Sequence, residues 1–360
     1  MRFPEFSGEW VTKSINDLAV VIGGGTPDTT VKSYWDGEIQ WFTPSEIGKN
    51  KYVDSSLRTI TEEGLNNSSA KLLSPNTILL SSRATIGECS LSLRECATNQ
   101  GFQSLVSKKC NVDFLYYLIQ TKKKDLIRKS CGSTFLEISA NEVRKIQVSV
   151  PSDVEQQKIA ELLSLIDERI ATQNKIIEKL ESLIKGIAHK VAGMGKPNIR
   201  ISECLECTSS TLQESDVSEV GTYPVYGANG IVGYLNGYNT SDEAIYIIKD
   251  GSGVGSVSYV KGKCSATGTL NILTAKQDYS LQFLYYILKV FSFVPYKTGM
   301  AIPHIYFKDY GKAHIFCPSY SEQLKYAKFL STIDDKLLVE QNILINLSLQ
   351  KQYLLHQMFI

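Results

Sequence analysis

The sequence lacks the features that would indicate a membrane protein or a protein that grips nucleic acid unaided. Its 360 residues carry a net charge of only +1, so no large basic field is present. No apolar run approaches membrane-spanning length, and no secretory h-region follows the first residues. We therefore expect a soluble, cytoplasmic protein without a membrane partner. The length suits two domains of ordinary size with an additional extended element.

Metal-binding and nucleophilic patterns are also missing. The eight cysteines are scattered and lie mostly within apolar runs, which is typical of reduced core thiols. Cys204 and Cys207 form one CxxC pair, but no second pair or nearby histidine completes a zinc set. The four histidines have no partner at ligand or triad spacing. We therefore predict no metal site and no catalytic residues.

The glycine-rich stretches do not match a nucleotide-binding loop. Residues 23–27 lack the GxGxxG or GxxxxGK[ST] spacing and a helix behind them, so they predict a turn. Residues 250–255 predict a hairpin, again because no helix follows them. The Asp/Asn/Ser-Pro-Pro-aromatic tetrapeptide of base-modifying methyltransferases is absent, and no nuclease-like cluster stands out. These absences favour recognition over catalysis.

What the sequence does contain is a long amphipathic stretch that occurs twice. Residues 151–193 and 318–360 align without a gap at an offset of 167 residues. Each copy opens with Ser-x-x-Glu, which predicts a capping box that uses Glu155 or Glu322. Apolar residues then recur in alternating steps of four and three, which is typical of a coiled-coil seam. The duplication favours packing of the two helices on each other over the alternative of two separate cores.

The predicted seam includes one polar residue in each helix. Its members are Ile159, Leu163, Ile166, Ile170, Gln173, Ile177 and Leu180 in the first copy, and Leu330, Ile333, Leu337, Glu340, Leu344 and Leu347 in the second. Gln173 and Glu340 lie halfway along each helix. A polar pair on an apolar seam fixes register at some cost in stability. Antiparallel packing would bring the two midpoints together.

Strand-like runs separated by turn residues predict two α+β globular units. The strands are predicted at 18–22, 39–42, 77–81 and 103–106, and at 245–248, 257–260 and 270–273. A helix is predicted at 112–128. The basic residues at its far end are Lys122, Lys123, Lys124, Arg128 and Lys129. This basic cluster is either a solvated helix end or a phosphate-contacting patch.

The duplication extends into the globular units. Residues 114–118 correspond to 283–287, and residues 132–134 fall opposite 299–301. The sequences of the two units match at their ends and diverge between them. This pattern is typical of two copies that share one fold and bind different ligands. The predicted order is a globular unit (1–150), a long helix (151–193), a linker (194–197), a second globular unit (198–317) and a second long helix (318–360).

Several stretches carry a family resemblance through their order and duplication. They are Gly24–Pro27, Tyr34–Trp35, Ile39–Trp41, Leu80–Gly87 and Ala97–Phe102, the Pro151 and Glu155–Gln156 set repeated as Pro318 and Glu322–Gln323, and Tyr223–Tyr234. In this order they resemble the specificity (S) subunit of type I restriction-modification systems, over nearly the whole chain.

The resemblance implies a DNA-recognition function for the two units. Each would be a target-recognition domain that reads one half of a bipartite site in double-stranded DNA. The long helices would form an antiparallel coiled coil that spaces the domains and docks two methyltransferase subunits. S-adenosylmethionine, ATP and Mg²⁺ would be bound by those partners and by restriction/translocase subunits, and not by this chain. Shared electrostatic contact with DNA agrees with the near-zero net charge.

The candidate DNA contacts follow from side-chain chemistry. Arg83, Asn99 and Gln100 suit base edges or phosphates. Ser133 and Thr134 suit backbone oxygens. The candidates in the second unit are Lys249, Ser252, Thr267 and Thr298. Asn99 alternatively satisfies a turn. The alternative function is a two-headed coiled-coil adaptor that binds protein or RNA, and an enzyme is the third choice.

Overall fold

The computed structural model describes residues 2–132, 136–299 and 302–359. The chain forms two compact units, of which the first comprises Met1–Gln173 with Ile343–Ile360 and the second comprises Asn174–Asn342. Each unit therefore contains a globular part and portions of both long helices. Within the described residues, no helix is long and apolar enough to cross a membrane.

Short strands and helices form the globular part of the first unit. The strands are β1 (Val11–Ser14), β2 (Ala19–Gly23), β3 (Trp35–Phe42), β4 (Tyr52–Val53), β5 (Arg58–Ile60), β6 (Ile78–Leu80), β7 (Cys89–Ser92), β8 (Cys96–Thr98), β9 (Gln103–Ser107) and β10 (Gln147–Val150). The helices are α1 (Ile15–Leu18), α2 (Glu62–Asn66), α3 (Val112–Thr121), α4 (Lys123–Arg128), α5 (Ala140–Arg144) and the long α6 (Asp153–Ala192). The strands form a sheet in the order β2-β9-β6-β7-β4, a sheet in the order β5-β3-β8, and a β1–β10 pair. The β3–β8 pairing is parallel.

Helix α3 is the buried helix of the first unit. The side chain of Asn111 caps it by accepting a first-turn backbone N–H at 2.9 Å. Residues 114–119 are all buried, so this helix fills the core on every side. The helix predicted over 112–128 is in fact two helices, because the chain turns at Lys122. The apolar run stops there, and Leu126 is the buried residue of α4.

The second unit repeats this arrangement. Its strands are β11 (Ile199–Arg200), β12 (Leu205–Ser209), β13 (Tyr223–Gly227), β14 (Gly230–Leu235), β15 (Glu243–Ile248), β16 (Val257–Lys261), β17 (Ser265–Ala266), β18 (Leu270–Ala275) and β19 (His314–Ile315), and its helices are α7 (Ile201–Cys204), α8 (Leu281–Val290), α9 (Phe307–Tyr310) and the long α10 (Tyr320–Met358). The sheet order β12-β18-β15-β16 reproduces β2-β9-β6-β7, and β13 pairs with β17 in parallel as β3 does with β8. The hairpin predicted at 250–255 is confirmed, because β15 and β16 pair antiparallel around it. Within the described residues, β4, α2 and α4 have no counterpart in this unit.

The long helices run antiparallel within the first unit. Asp167 of α6 forms an ion pair with Lys351 of α10 at 2.7 Å. Leu163, one turn before Asp167, shares its apolar core with Leu354, which follows Lys351. Positions that ascend in α6 therefore meet positions that descend in α10, as in an antiparallel coiled coil.

Burial along the two helices follows the seam. All thirteen seam residues are buried or half-buried. Apolar residues off the seam are open to solvent, for example Leu165 and Leu338, each 58% exposed. The polar members Gln173 and Glu340 are both buried, and Glu340 also pairs with Lys336 at 2.5 Å. Each helix thus buries one stripe and leaves apolar side chains exposed on another face.

The two Ser-x-x-Glu sequences behave differently. Glu322 accepts the backbone N–H of Ser319 at 3.1 Å and its hydroxyl at 2.6 Å. These bonds hold the pKa of the Glu322 carboxyl below its ordinary value. Glu155 is buried and accepts instead from Arg2, at 2.7 and 2.6 Å, and from Trp10 at 3.3 Å. The prediction that Glu155 completes a capping box is therefore wrong, because a buried carboxylate is satisfied by a cation.

The same side-chain pair ties each globular part to a long helix. Tyr117 of α3 donates its hydroxyl to Asp167 at 2.6 Å, and Tyr286 of α8 donates to Asp334 at 2.7 Å. Burial, and then the neighbouring carboxylate, raises the pKa of both tyrosines. The two aspartates differ in one respect. Asp167 also forms an ion pair with Lys351, whereas Asp334 forms no ion pair with a described residue.

Candidate nucleic-acid interface

Three loops meet at one end of the sheets in the first unit. They follow β2, β6 and β8, and main-chain hydrogen bonds connect them. The N–H of Gly25 donates to the carbonyl of Thr98 at 2.8 Å, and the N–H of Ser82 donates to the carbonyl of Gly101 at 2.8 Å. The predicted contacts brought together by these loops are Arg83, Asn99 and Gln100.

Arg83 lies at the tip of the loop after β6. Its guanidinium forms an ion pair with Glu137 at 2.7 Å, and its side chain is 44% exposed. The backbones of these two residues form an antiparallel bridge. Ala84 adopts a φ of 58°, a left-handed conformation that non-glycine residues rarely adopt. The hydroxyl of Ser81 donates to the carbonyl of Arg83 at 2.8 Å, so the turn that presents the guanidinium is well defined.

Asn99 and Gln100 have different local roles. The Oδ1 of Asn99 accepts the backbone N–H of Gly101 at 2.8 Å, so this half-buried side chain stabilises the turn. Gln100 is exposed, and its Oε1 accepts the hydroxyl of Thr26 at 2.6 Å. That bond leaves the Nε2 group of Gln100 as the donor for a ligand.

Ser133 and Thr134 lie outside the described residues. The positions that flank them, Cys131 and Glu137, exchange two backbone hydrogen bonds of 2.9 Å each. Because Glu137 also pairs with Arg83, the bridge between Cys131 and Glu137 lies beside the loop after β6.

Lys249 occupies the place of Ser82 in the second unit. Its N–H donates to the carbonyl of Thr269 at 3.0 Å, and its carbonyl accepts the N–H of Ile305 at 2.9 Å. Ser82 makes the corresponding pair of bonds in the first unit. The loop after β15 is therefore framed by its neighbours in the same way as the loop after β6.

The other three candidates of the second unit are placed unequally. Ser252 is exposed in the hairpin turn, directly after Gly251, whose φ is 93°. Thr298 is exposed and exchanges two backbone hydrogen bonds with His304, at 2.9 and 2.8 Å. Thr267 is only 1% exposed, and its hydroxyl is hydrogen-bonded to that of Thr269 at 2.8 Å. The structure thus places Thr267 inside the unit and not on the candidate surface.

Three residues of the site were not among the sequence-based candidates. Glu137 pairs with Arg83, and the carboxylate of Asp250 lies 3.4 Å from Nδ1 of His304. Both pairs are partly exposed beside the loops described above. The signal that could have found them is the repeat offset, because positions 83 and 137 plus 167 are 250 and 304.

The basic cluster belongs to the edge of the same site. It covers α4 and the residue on either side, and Ser130 alone separates it from Cys131. Lys123 is ion-paired to Glu88, in the segment that follows Arg83. The corresponding part of the second unit contains only a short 3₁₀ turn, Val294–Tyr296. Within the described residues, the cluster is therefore a feature of the first unit alone.

The CxxC pair does not have the properties of a ligand set. Burial raises the pKa of Cys204 to about 12 and that of Cys207 to about 11. A raised pKa disfavours the thiolate form that metal ligation needs. No group of three or more His, Cys, Asp or Glu among the described residues could hold a metal ion.

Comparisons with known proteins identify one family. Residues 7–182 and 198–349 match the family model described as the type I restriction modification DNA specificity domain. The chain is 39% identical over 180 residues to the specificity subunit of the type I restriction enzyme MjaIX from Methanocaldococcus jannaschii. That alignment covers 48% of this chain and 42% of the relative, so the chain spans less than half of that relative's length.

Two further matches extend over most of the chain. The specificity subunit of the type I restriction enzyme EcoprrI from Escherichia coli is 23% identical over 344 residues, which cover 86% of this chain and 84% of that protein. A crystal structure of a type I restriction-modification system S subunit from M. genitalium matches with a TM-score of 0.65 and 19% identity. It covers 100% of this chain and 99% of that chain. At this identity the structural match establishes a common fold.

Proposed function

The chain belongs to the type I restriction-modification DNA specificity family, and we propose that it is the DNA sequence-recognition subunit of a type I restriction-modification complex. Each unit reads one half of a bipartite site through its loops, and the paired long helices set the spacing of the halves. The observation that carries this proposal is one loop framework, built twice, with different side chains at equivalent places. To read two different half-sites, a duplicated loop framework must present different side chains in its two copies.

The proposal assigns catalysis to partner subunits. Methyl transfer from S-adenosylmethionine belongs to methyltransferase subunits, and ATP- and Mg²⁺-dependent steps belong to restriction/translocase subunits. The near-neutral charge supports this division, because most of the affinity for a duplex comes from neutralised phosphates. A chain with a net charge of +1 gains that affinity most readily when partners supply part of the positive surface.

Surfaces for such partners lie on the exposed faces of the long helices. In the first unit, a shallow groove is lined by residues that include Leu165, Arg169 and Ile343. In the second unit, an exposed face of α6 carries apolar and basic side chains that include Leu183 and Lys190. Exposed apolar side chains rimmed by charge are typical of helix-docking surfaces. Exposed apolar and charged side chains on the long helices of both units support two methyltransferase subunits per chain.

Binding assays with and without partners test the proposal. The purified chain, alone and co-expressed with methyltransferase, is titrated onto duplex DNA at about 150 mM salt. We expect weak, salt-sensitive binding by the chain alone and tight, sequence-specific binding by the complex. Sequencing of methylated positions should then give a bipartite motif with a fixed gap. Equal specificity of the chain alone would contradict the need for partners, and binding to RNA or protein but not to duplex DNA would favour an adaptor.

A further inference from the structure

Both units hold a pair of polar, charge-bearing side chains at one place in the repeat, with the chemistry exchanged between the two positions. In the first unit the cation is Arg83, on the loop after β6, and the anion is Glu137. In the second unit the anion is Asp250, on the loop after β15, and the basic side chain is His304. All four positions obey the offset of 167 residues that relates the long helices.

The frame around each pair is made by the main chain. Glu137 exchanges two backbone hydrogen bonds with Cys131, and His304 exchanges two with Thr298. Each pair is also an antiparallel backbone bridge, Arg83 with Glu137 and Asp250 with His304. Because backbone groups carry these bonds, the side chains are free to differ while the frame is preserved.

The pairs are accessible and are not needed to hold the fold. The side chains of Arg83 and Glu137 are 44% and 35% exposed, and those of Asp250 and His304 are 41% and 33% exposed. Neither an ion pair nor a carboxylate–imidazole contact of this exposure contributes much to stability. A ligand that replaces one member of such a pair therefore displaces a weak interaction.

The exchanged side chains match the chemistry of different bases. An arginine donates two hydrogen bonds to O6 and N7 of guanine, and a carboxylate accepts from N4 of cytosine. We propose that positions 83 and 137, and their equivalents 250 and 304, are specificity-determining positions that contact bases. The basic and the acidic side chain exchange places between the two units, so equivalent positions contact different bases in the two half-sites. The inference rests on the proposed function and names the residues by which it operates.

Charge exchange within one unit tests the inference. The double variant Arg83→Glu with Glu137→Arg gives the first unit the polarity of the second. It is expressed with methyltransferase, and affinity and methylated motifs are measured. We expect one half-site to change its bases, the other half-site and the gap to be retained, and affinity for the original site to fall by about 5- to 150-fold, the range of one bidentate base contact. In the second unit, Asp250→Asn should alter the other half-site alone.

The first unit supplies a matched control. Arg94 and Asp54 form an ion pair at 2.6 Å with exposures of 64% and 45%, and this pair lies outside the loop cluster. Its exchange, Arg94→Asp with Asp54→Arg, should leave both half-sites unchanged. If the 83/137 exchange behaves like this control while the complex still recognises a bipartite site, the inference is wrong and the proposed function stands. Absence of any sequence-specific site in the unaltered complex would overturn the function itself.

A milder variant decides the case in which the exchange damages the fold. Loss of both half-sites together would indicate such damage. Arg83→Lys keeps the charge and the backbone frame, but a lysine cannot make the two parallel bonds of a guanidinium. We expect it to weaken discrimination at one base pair of one half-site with an unchanged melting temperature. Unchanged discrimination would overturn the role of Arg83.

Discussion

The basic cluster at α4 provides the most quantitative prediction. Within the cluster, Lys123 and Arg128 are ion-paired to carboxylates. Lys122, Lys124 and Lys129 form no ion pair within the described part of the chain. Phosphates of a bound duplex are the natural partners of these three ammonium groups, because the cluster leads directly into the segment beside Arg83. The perturbation is therefore the triple change of the three lysines to Gln.

The expected magnitude follows from counterion release. Each neutralised phosphate contributes about 0.9 to the slope of the logarithm of the binding constant against the logarithm of the salt concentration. Three lost contacts should make that slope less steep by about 2.7. Each doubling of the salt concentration lowers the binding constant of both complexes. The fold-loss should be about six times larger for the unaltered complex than for the variant. The bases recognised should not change, because phosphate contacts carry no direct sequence information.

The assay is a salt series of binding isotherms on one specific duplex. The control triple, Lys13→Gln with Lys108→Gln and Lys109→Gln, removes the same charge from exposed lysines at the far end of β2 and β9. It should leave the slope nearly unchanged. Equal slopes for the cluster variant and the unaltered complex would refute the phosphate role and leave a solvated helix end. A changed methylation motif would refute the assignment to backbone contacts.

Three further predictions concern the framework. Tyr117→Phe should destabilise the chain by about 1 kcal/mol and Tyr286→Phe by about 2 kcal/mol in chemical unfolding, because Asp167 retains Lys351 whereas Asp334 loses its described partner. The pKa of both tyrosines is raised in the native state, so their contribution to stability should be constant below about pH 10 and be lost progressively above it, and the loss should be less steep in the Tyr117→Phe variant. Four residues inserted before Gly193 lengthen α6 by about 6 Å and should widen the gap between half-sites, read by methylation sequencing, by about one or two base pairs. Altered half-site bases in that variant would contradict the spacing role of the helices.

Local sequence rules could predict the two long helices and seven of the nineteen strands in the described part of the chain. A seven-residue apolar period can be recognised from residue spacing alone, and β6, β15 and β18 coincide with segments rich in β-branched and aliphatic residues. The parallel pairing of β3 with β8 could not be predicted from the sequence, because no local signal connects strands that are separated by 53 residues. The bond from Arg2 to the buried carboxylate of Glu155 was missed for the same reason. A capping box is predicted from neighbouring residues only. The carboxylate of Glu155 instead binds a cation that is distant in sequence.

The candidate site shows why side-chain chemistry alone selects contacts poorly. Asn99 and Thr267 were chosen for their hydrogen-bonding groups, yet each donates its backbone N–H to the end of a neighbouring strand and uses its side chain within the loop. Both therefore belong to the frame, where a polar group is satisfied internally. Residues free to read a ligand are those that the frame leaves variable and exposed. Equivalence between the units separates the two classes: frame positions keep their bonds across the repeat, whereas Arg83 and Asp250 share a place and differ in charge. Two half-sites that differ in base sequence require different side chains at such equivalent positions.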